Sequence, residues 1–112
     1  DYNKKGIDYA QRGQYRLAIK HFNHAIRRNP HDLPSYVYRG DLYLKLQHQQ
    51  QAIEDCNAVL RLKPDFTLAY NNRGSAYINQ GNNYLGCRDF QKACDLGDCL
   101  LLKIAKNEGV CP

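Results

Sequence analysis

The 112-residue chain is predicted to be all-α, a stack of antiparallel helix pairs, and three observations lead there. The first is an internal period of 34 residues: Tyr2, Tyr36 and Tyr70, then Gly6, Gly40 and Gly74, then Tyr9, Tyr43 and Tyr77 recur at that interval without a gap. A fixed period of this size marks a repeat architecture. The second is helical spacing within each unit. Ala18, Phe22, Ala25 and Ile26 form one apolar stripe. The third is punctuation, with Gly13 inside the first unit and Pro30 and Pro64 closing the first two. Proline cannot continue a helix interior, so each sends the chain on to the next unit.

In the first unit, about 1–32, one helix is expected to run to Gln11 and a second from about Tyr15 to Arg28, with Gly13 in the turn. The second unit, about 33–66, and the third, about 67–98, repeat that plan, and the second helices keep step through Ala18, Ala52 and Gly86 and through Phe22, Cys56 and Phe90. Gly6, Gly40 and Gly74 fall near the middle of a helix, where glycine costs about 1 kcal/mol relative to alanine. The missing side chain therefore implies a close approach by the paired helix, with Ala18 and Ala52 expected to face the first two. Gly86 in place of alanine is expected to loosen the last pair. Stacked repeats leave a terminal face that needs a cover. The run from Cys99 to Lys106 supplies it as a capping helix over about 99–108, ended by Gly109 and Pro112. The whole chain, 1–112, reads as one domain.

Hydrophobic residues at 43% and charged residues at 24% are globular values. No apolar run approaches the roughly 18 residues that span a bilayer, and the first residues, Asp1 to Lys5, are polar, so no membrane partner and no signal peptide are expected. The net charge of +5 is uneven. Residues 1–34 carry Lys4, Lys5, Arg12, Arg16, Lys20, Arg27 and Arg28 against Asp1, Asp8 and Asp32, whereas 35–68 and 69–102 each balance. That excess reads as a solvated helical face or as a site for an anionic partner.

Five cysteines invite a metal or redox reading. The register argues otherwise for three of them: Cys56, Cys87 and Cys94 stand where Phe22, Ile19 and Ile26 stand in the first unit, so they are expected to be small core hydrophobes. Cys99 and Cys111 bracket the capping helix and would pair with each other in an oxidising compartment, while the odd total speaks against a disulfide framework. His21 and His24 share a helix, but their counterparts include Asp55, Ala58, Asp89 and Lys92, and the pair is expected to face solvent. No nucleophile–base arrangement, phosphate-binding glycine loop or paired carboxylate emerges. The chain is expected to be neither an enzyme nor the holder of a cofactor or metal. Six of nine tyrosines sit at repeating positions; Tyr38 does not.

In these glycine, tyrosine, alanine, aromatic and proline offsets the sequence resembles the tetratricopeptide repeat family over essentially its whole length. It departs from the pattern at Tyr2, Tyr36 and Tyr70, where tryptophan is favoured, at Arg28, where Leu62 and Leu96 are apolar, and at Asp98, where proline is usual. The resemblance implies a right-handed superhelical solenoid whose first helices line a concave groove for a protein or peptide partner. Carried onto this register, the groove consists of Asn3, Ile7, Ala10 and Gln11, of Val37, Tyr38, Asp41, Leu44 and Lys45, and of Asn71, Asn72, Ser75, Ile78 and Asn79. The family's grip on the C-terminal carboxylate of chaperone tails uses Lys, Asn, Asn, Lys and Arg. Those positions hold Asn3, Ile7, Tyr38, Leu68 and Asn72, with no cation, so acidic tails are expected to bind poorly. The runner-up reading is a nucleic acid or acidic partner on the basic first unit, with nucleic acid disfavoured because related RNA-binding helical repeats have a different period. The chain opens inside a repeat, which is expected to expose apolar surface beside Tyr2 and Ile7 and to permit self-association. Free core cysteines point to a cytoplasmic setting.

Overall fold

The computed structural model describes residues 1–112 and contains seven helices: α1 (Tyr2–Gln11), α2 (Tyr15–Arg28), α3 (Leu33–Lys45), α4 (Gln49–Leu62), α5 (Thr67–Asn79), α6 (Asn83–Asp95) and α7 (Leu100–Asn107). Local chemistry sets several starts. Asp1 accepts from the Asn3 and Lys4 backbone N–H groups, Asp32 from Ser35, and Asn82 from Leu85. Each accepts a donor that the first helical turn leaves without a partner. Pro34 sits in the first turn of α3, where a missing N–H costs nothing.

The tight turns inside the three units fall at equivalent residues, Gly13, Gln47 and Gly81, and all three have positive φ, at 76°, 64° and 85°. Glycine adopts this left-handed conformation freely, whereas Gln47 carries a Cβ penalty of about 1–2 kcal/mol. The surrounding pair of helices imposes the geometry there.

The helices pair as α1/α2, α3/α4 and α5/α6, and each second helix also packs on the next unit's first helix. In addition α1 touches α3 and α3 touches α5, while α2, α4 and α6 stand further apart. The first helices therefore lie on the inside of the curve. The molecule is elongated, 44 × 25 × 20 Å, and its core is a series of small clusters between neighbours. The repeating tyrosines also fasten the linkers: Tyr36 donates to the Pro30 carbonyl (3.1 Å) and Tyr70 to the Pro64 carbonyl (2.9 Å).

The mid-helix glycines are points of close approach, but their neighbours differ from expectation. A Cβ on Gly6 would meet the ring of Phe22 at 2.6 Å, and one on Gly74 the ring of Phe90 at 2.7 Å and the Gly86 carbonyl at 3.0 Å. Gly40 faces the Asp55 Cβ, with only the Ala52 backbone further off. Gly86 does not loosen the last pair. Its Cα lies against Ile78 and the Gly74 backbone, a contact that any side chain would block.

The cysteines depart most from the sequence reading. Cys56 is a buried free thiol, whose desolvation raises its pKa to about 12. Cys87 and Cys94, however, are not bare hydrophobes. Cys87 pairs with Cys111 and Cys94 with Cys99, so Cys99 and Cys111 do not pair with each other. The reason is register. Cys87 and Cys94 lie on the stripe of α6 that faces the next unit; α7 occupies that place, bringing Cys99 back to the end of α6 and the tail to its middle. Phe90, Leu102, Ala105 and Cys111 form the core of this capped end.

Two measurements follow. Gly74→Ala should lower stability by about 1–3 kcal/mol in urea unfolding, the usual cost of overpacking, whereas an unchanged midpoint would show that the α5/α6 contact has slack. Alkylation of the denatured, unreduced protein should label one thiol, Cys56, with labelling of all five contradicting the pairing.

Candidate functional site: a concave groove and a recurring arginine junction

The groove rests on a junction that recurs once per unit. Arg39 on α3 donates two hydrogen bonds to Asp55 on α4, at 2.6 and 2.9 Å, and a third to Asn23 of the preceding α2 at 2.7 Å. Arg73 on α5 repeats this with Asp89 on α6 (2.8 Å twice) and Asn57 on α4 (2.9 Å). The guanidinium of Arg39 lies over Tyr36 and Tyr43, 5.7 and 5.8 Å from their centroids, and Arg73 lies over Tyr70 at 5.6 Å. Burial disfavours the Arg39 charge, but the hydrogen bonds and charge of Asp55 outweigh it and raise the guanidinium pKa. For Arg73 the Asp89 hydrogen bond is the largest influence, with the same outcome. Three helices are thereby fixed by one side chain.

The first unit breaks this pattern. Lys5 stands at the arginine position and His21 at the aspartate position. The two histidines do not form the solvent-facing pair that the sequence suggested. His21 is half-buried, stacked on Tyr9 at 5.1 Å, and its Nδ1 is enclosed without a hydrogen-bond partner. His24 stacks on Tyr2 at 5.0 Å and accepts a bond from Arg27 at 2.8 Å. Burial and the nearby charges of Lys5, His24 and Lys20 hold the His21 pKa below 6.5. No three His, Cys, Asp or Glu side chains come together to hold a metal.

On the concave side Tyr38 is 40% exposed and its ring lies parallel to Phe22, centroids 5.8 Å apart. Stacking on a buried ring fixes its orientation. Leu68, on the next first helix, is 47% exposed. Asp41 and Lys45 pair with each other at 3.2 Å, so the middle of the floor presents little net charge. Asn72 is half-buried beside Val37 and Leu68. At the C-terminal end Ser75, Ile78 and Asn79 join Leu101 and Ile104 of α7 around a cleft of about 170 Å³.

Three predicted groove residues are committed elsewhere. Asn71 is only 6% exposed and donates to Asp98 at 3.1 Å, so it ties α5 to the α6–α7 turn and is not part of the accessible floor. Asn3 donates to Ser35 at 2.9 Å and joins α1 to α3. Ile7 packs beneath the floor with Phe22 and Leu42. The wall formed by Leu101 and Ile104 was missed, because the cap was read only as a cover; their spacing on an otherwise one-sided helix was the available signal.

A floor of side chains held on three packed first helices, open along one side of an elongated stack, defines a helical-repeat docking scaffold. The chain belongs to the tetratricopeptide repeat family: one sequence model of that repeat matches residues 3–67 and a second matches 68–96. Among relatives, the Hsp70-Hsp90 organizing protein of Triticum aestivum is 38% identical over 72 residues, 64% of this chain and 12% of that protein. The stress-induced-phosphoprotein 1 of Caenorhabditis elegans is 35% identical over 66 residues, 59% of this chain and 21% of that protein. The chain thus spans roughly an eighth to a fifth of these relatives. Among solved structures, the first repeat domain of Spaghetti (RPAP3) bound to the HSP90 peptide SRMEEVD superposes with a TM-score of 0.82 at 25% identity, covering 86% of this chain and 76% of that one. The fold is a protein-interaction module.

Proposed function

We propose that the groove receives a peptide segment of a partner protein through apolar and uncharged polar contacts, without catalysis, cofactor or metal. The observation that carries this reading is the make-up of the floor: the fixed ring of Tyr38, exposed Leu68, half-buried Asn72 and the cleft walled by Ile78, Leu101 and Ile104, with the charges of Asp41 and Lys45 spent on each other. Rigid aromatic and apolar anchors in partly desolvated sites carry most of the energy at protein interfaces. Peptide binding by the RPAP3 domain supports a peptide as the ligand class. The chemistry of recognition differs, because the five positions that would grip an acidic terminus, Asn3, Ile7, Tyr38, Leu68 and Asn72, include no cation.

The cytoplasmic expectation rested on free core cysteines, and the structure pairs two of those three. Two disulfides are the cysteine usage of an oxidising compartment, and the proposed location moves there.

Peptides selected from a random displayed library on the full chain should be rich in apolar residues and should bind the Tyr38→Ala, Leu68→Ala variant at least about tenfold more weakly, the scale of one anchor residue. The peptide SRMEEVD should show a Kd no tighter than about 1 mM by calorimetry at physiological salt. Micromolar binding of that peptide, or selected peptides indifferent to the two substitutions, would contradict the reading.

A further inference from the structure

The cleft between α5 and α7, at the C-terminal end of the concave face, has walls and a rim of different chemistry. The walls are apolar, with Ile78 on one side, Leu101, Ile104 and Val110 on the other, and the Phe90 ring between them. Leu101, Ile104, Ala105 and Glu108 recur at helical spacing and all line the cleft, so they form one stripe of α7 turned toward α5. The space is about 170 Å³. A cavity of about 150 Å³ accepts a benzene ring, so this cleft has room for a single leucine, isoleucine or phenylalanine side chain.

The rim accepts hydrogen bonds and carries negative charge. Glu108 is the one charged residue that lines the cleft; it is exposed, and the ion pairs of the chain lie elsewhere, on Arg39, Arg73 and Lys45. Asn79 donates its amide to Gln49 at 3.4 Å, which leaves its carbonyl oxygen as an acceptor. Asn79 is also the last residue of α5, and Glu108 caps the end of α7. The two helices therefore bring their C-terminal ends, each with partial negative charge, to the same rim. Lys106, in the last turn of α7, faces away and lines a separate cleft with Tyr84 and Arg88.

We propose that this cleft receives a large apolar side chain of the partner's segment while a lysine or arginine within two residues of it pairs with Glu108 and Asn79. The proposal rests on the groove reading and adds to it the sign of the segment's charge. Lysine and arginine only donate hydrogen bonds, which matches a rim that supplies acceptors. Their methylene stems can lie along the apolar wall while the charged head stays in water. An acidic segment would set like charge against Glu108 and against both helix ends.

The test is calorimetry on the full, oxidised chain with a peptide recovered from the displayed library, beside the same peptide with its lysine or arginine changed to glutamine. Recovered sequences should be enriched in lysine or arginine within two positions of an apolar residue. Removing the peptide's cation should weaken binding about two- to fivefold, the scale of an exposed ion pair. That factor should vanish on the Glu108→Gln chain, and on Glu108→Lys the glutamine peptide should bind more tightly than the cationic one. Ile104→Ala should weaken both peptides at least about tenfold. If no peptide is recovered, or the recovered ones ignore Tyr38→Ala, Leu68→Ala and Ile104→Ala alike, the groove reading fails and this proposal with it. Peptides that need Tyr38 and Leu68 but lack the enrichment, ignore Ile104→Ala, or lose the same factor on wild type and Glu108→Gln would leave the groove standing and overturn the proposal. Self-association in sedimentation that Ile104→Glu abolishes would place a second copy in the cleft and overturn it too.

Discussion

The arrangement depends on one buried hydrogen-bonded ion pair repeated along the stack. Asp55 and Asp89 are almost entirely enclosed, a position that a carboxylate holds only when its charge is met. Arg39 and Arg73 meet it with two bonds each, and a third donor of each, on Nη1, reaches an asparagine of the unit before. The pairing inside a unit and the stacking between units therefore share one side chain. Apolar contacts alone would let neighbouring helices slide, because dispersion and burial have little direction. A bidentate guanidinium has a fixed fork and fixes their register.

Curvature follows from that register, and the groove from the curvature. Tyr38 is adjacent in sequence to Arg39, so the residue that pins α3 from behind also sets the angle at which the exposed ring faces the concave side. Asn72 stands in the same relation to Arg73. The site and the scaffold are two faces of the same turn of helix. The first unit, lacking arginine and aspartate at these positions, holds its tyrosines with stacked imidazoles instead.

The helix pairs, their order and most of their ends were legible because a 34-residue period repeats both the apolar stripe and the residues that break it. The position of the groove was legible from the resemblance, but its availability was not. Asn71 and Asn72 are neighbours of the same type, and only packing shows that the first is spent on Asp98 while the second is left at the edge of the floor. The cysteines failed for a related reason. Register correctly placed Cys87 and Cys94 on an inward stripe, but said nothing of which thiols a non-repeating cap would bring to them. His21 was misjudged because its counterparts are acidic. Those acids are buried, and their position is an interior one whatever residue fills it.

The most direct measurement is equilibrium urea unfolding of Arg39→Met, which keeps the length and apolar stem of the side chain while removing its charge and donors. If the junction holds the stack together, stability should fall by about 3 kcal/mol or more, because Asp55 is left buried and unpaired. A loss of less than about 1 kcal/mol, the range of an exposed ion pair, would mean that apolar packing alone sets the register.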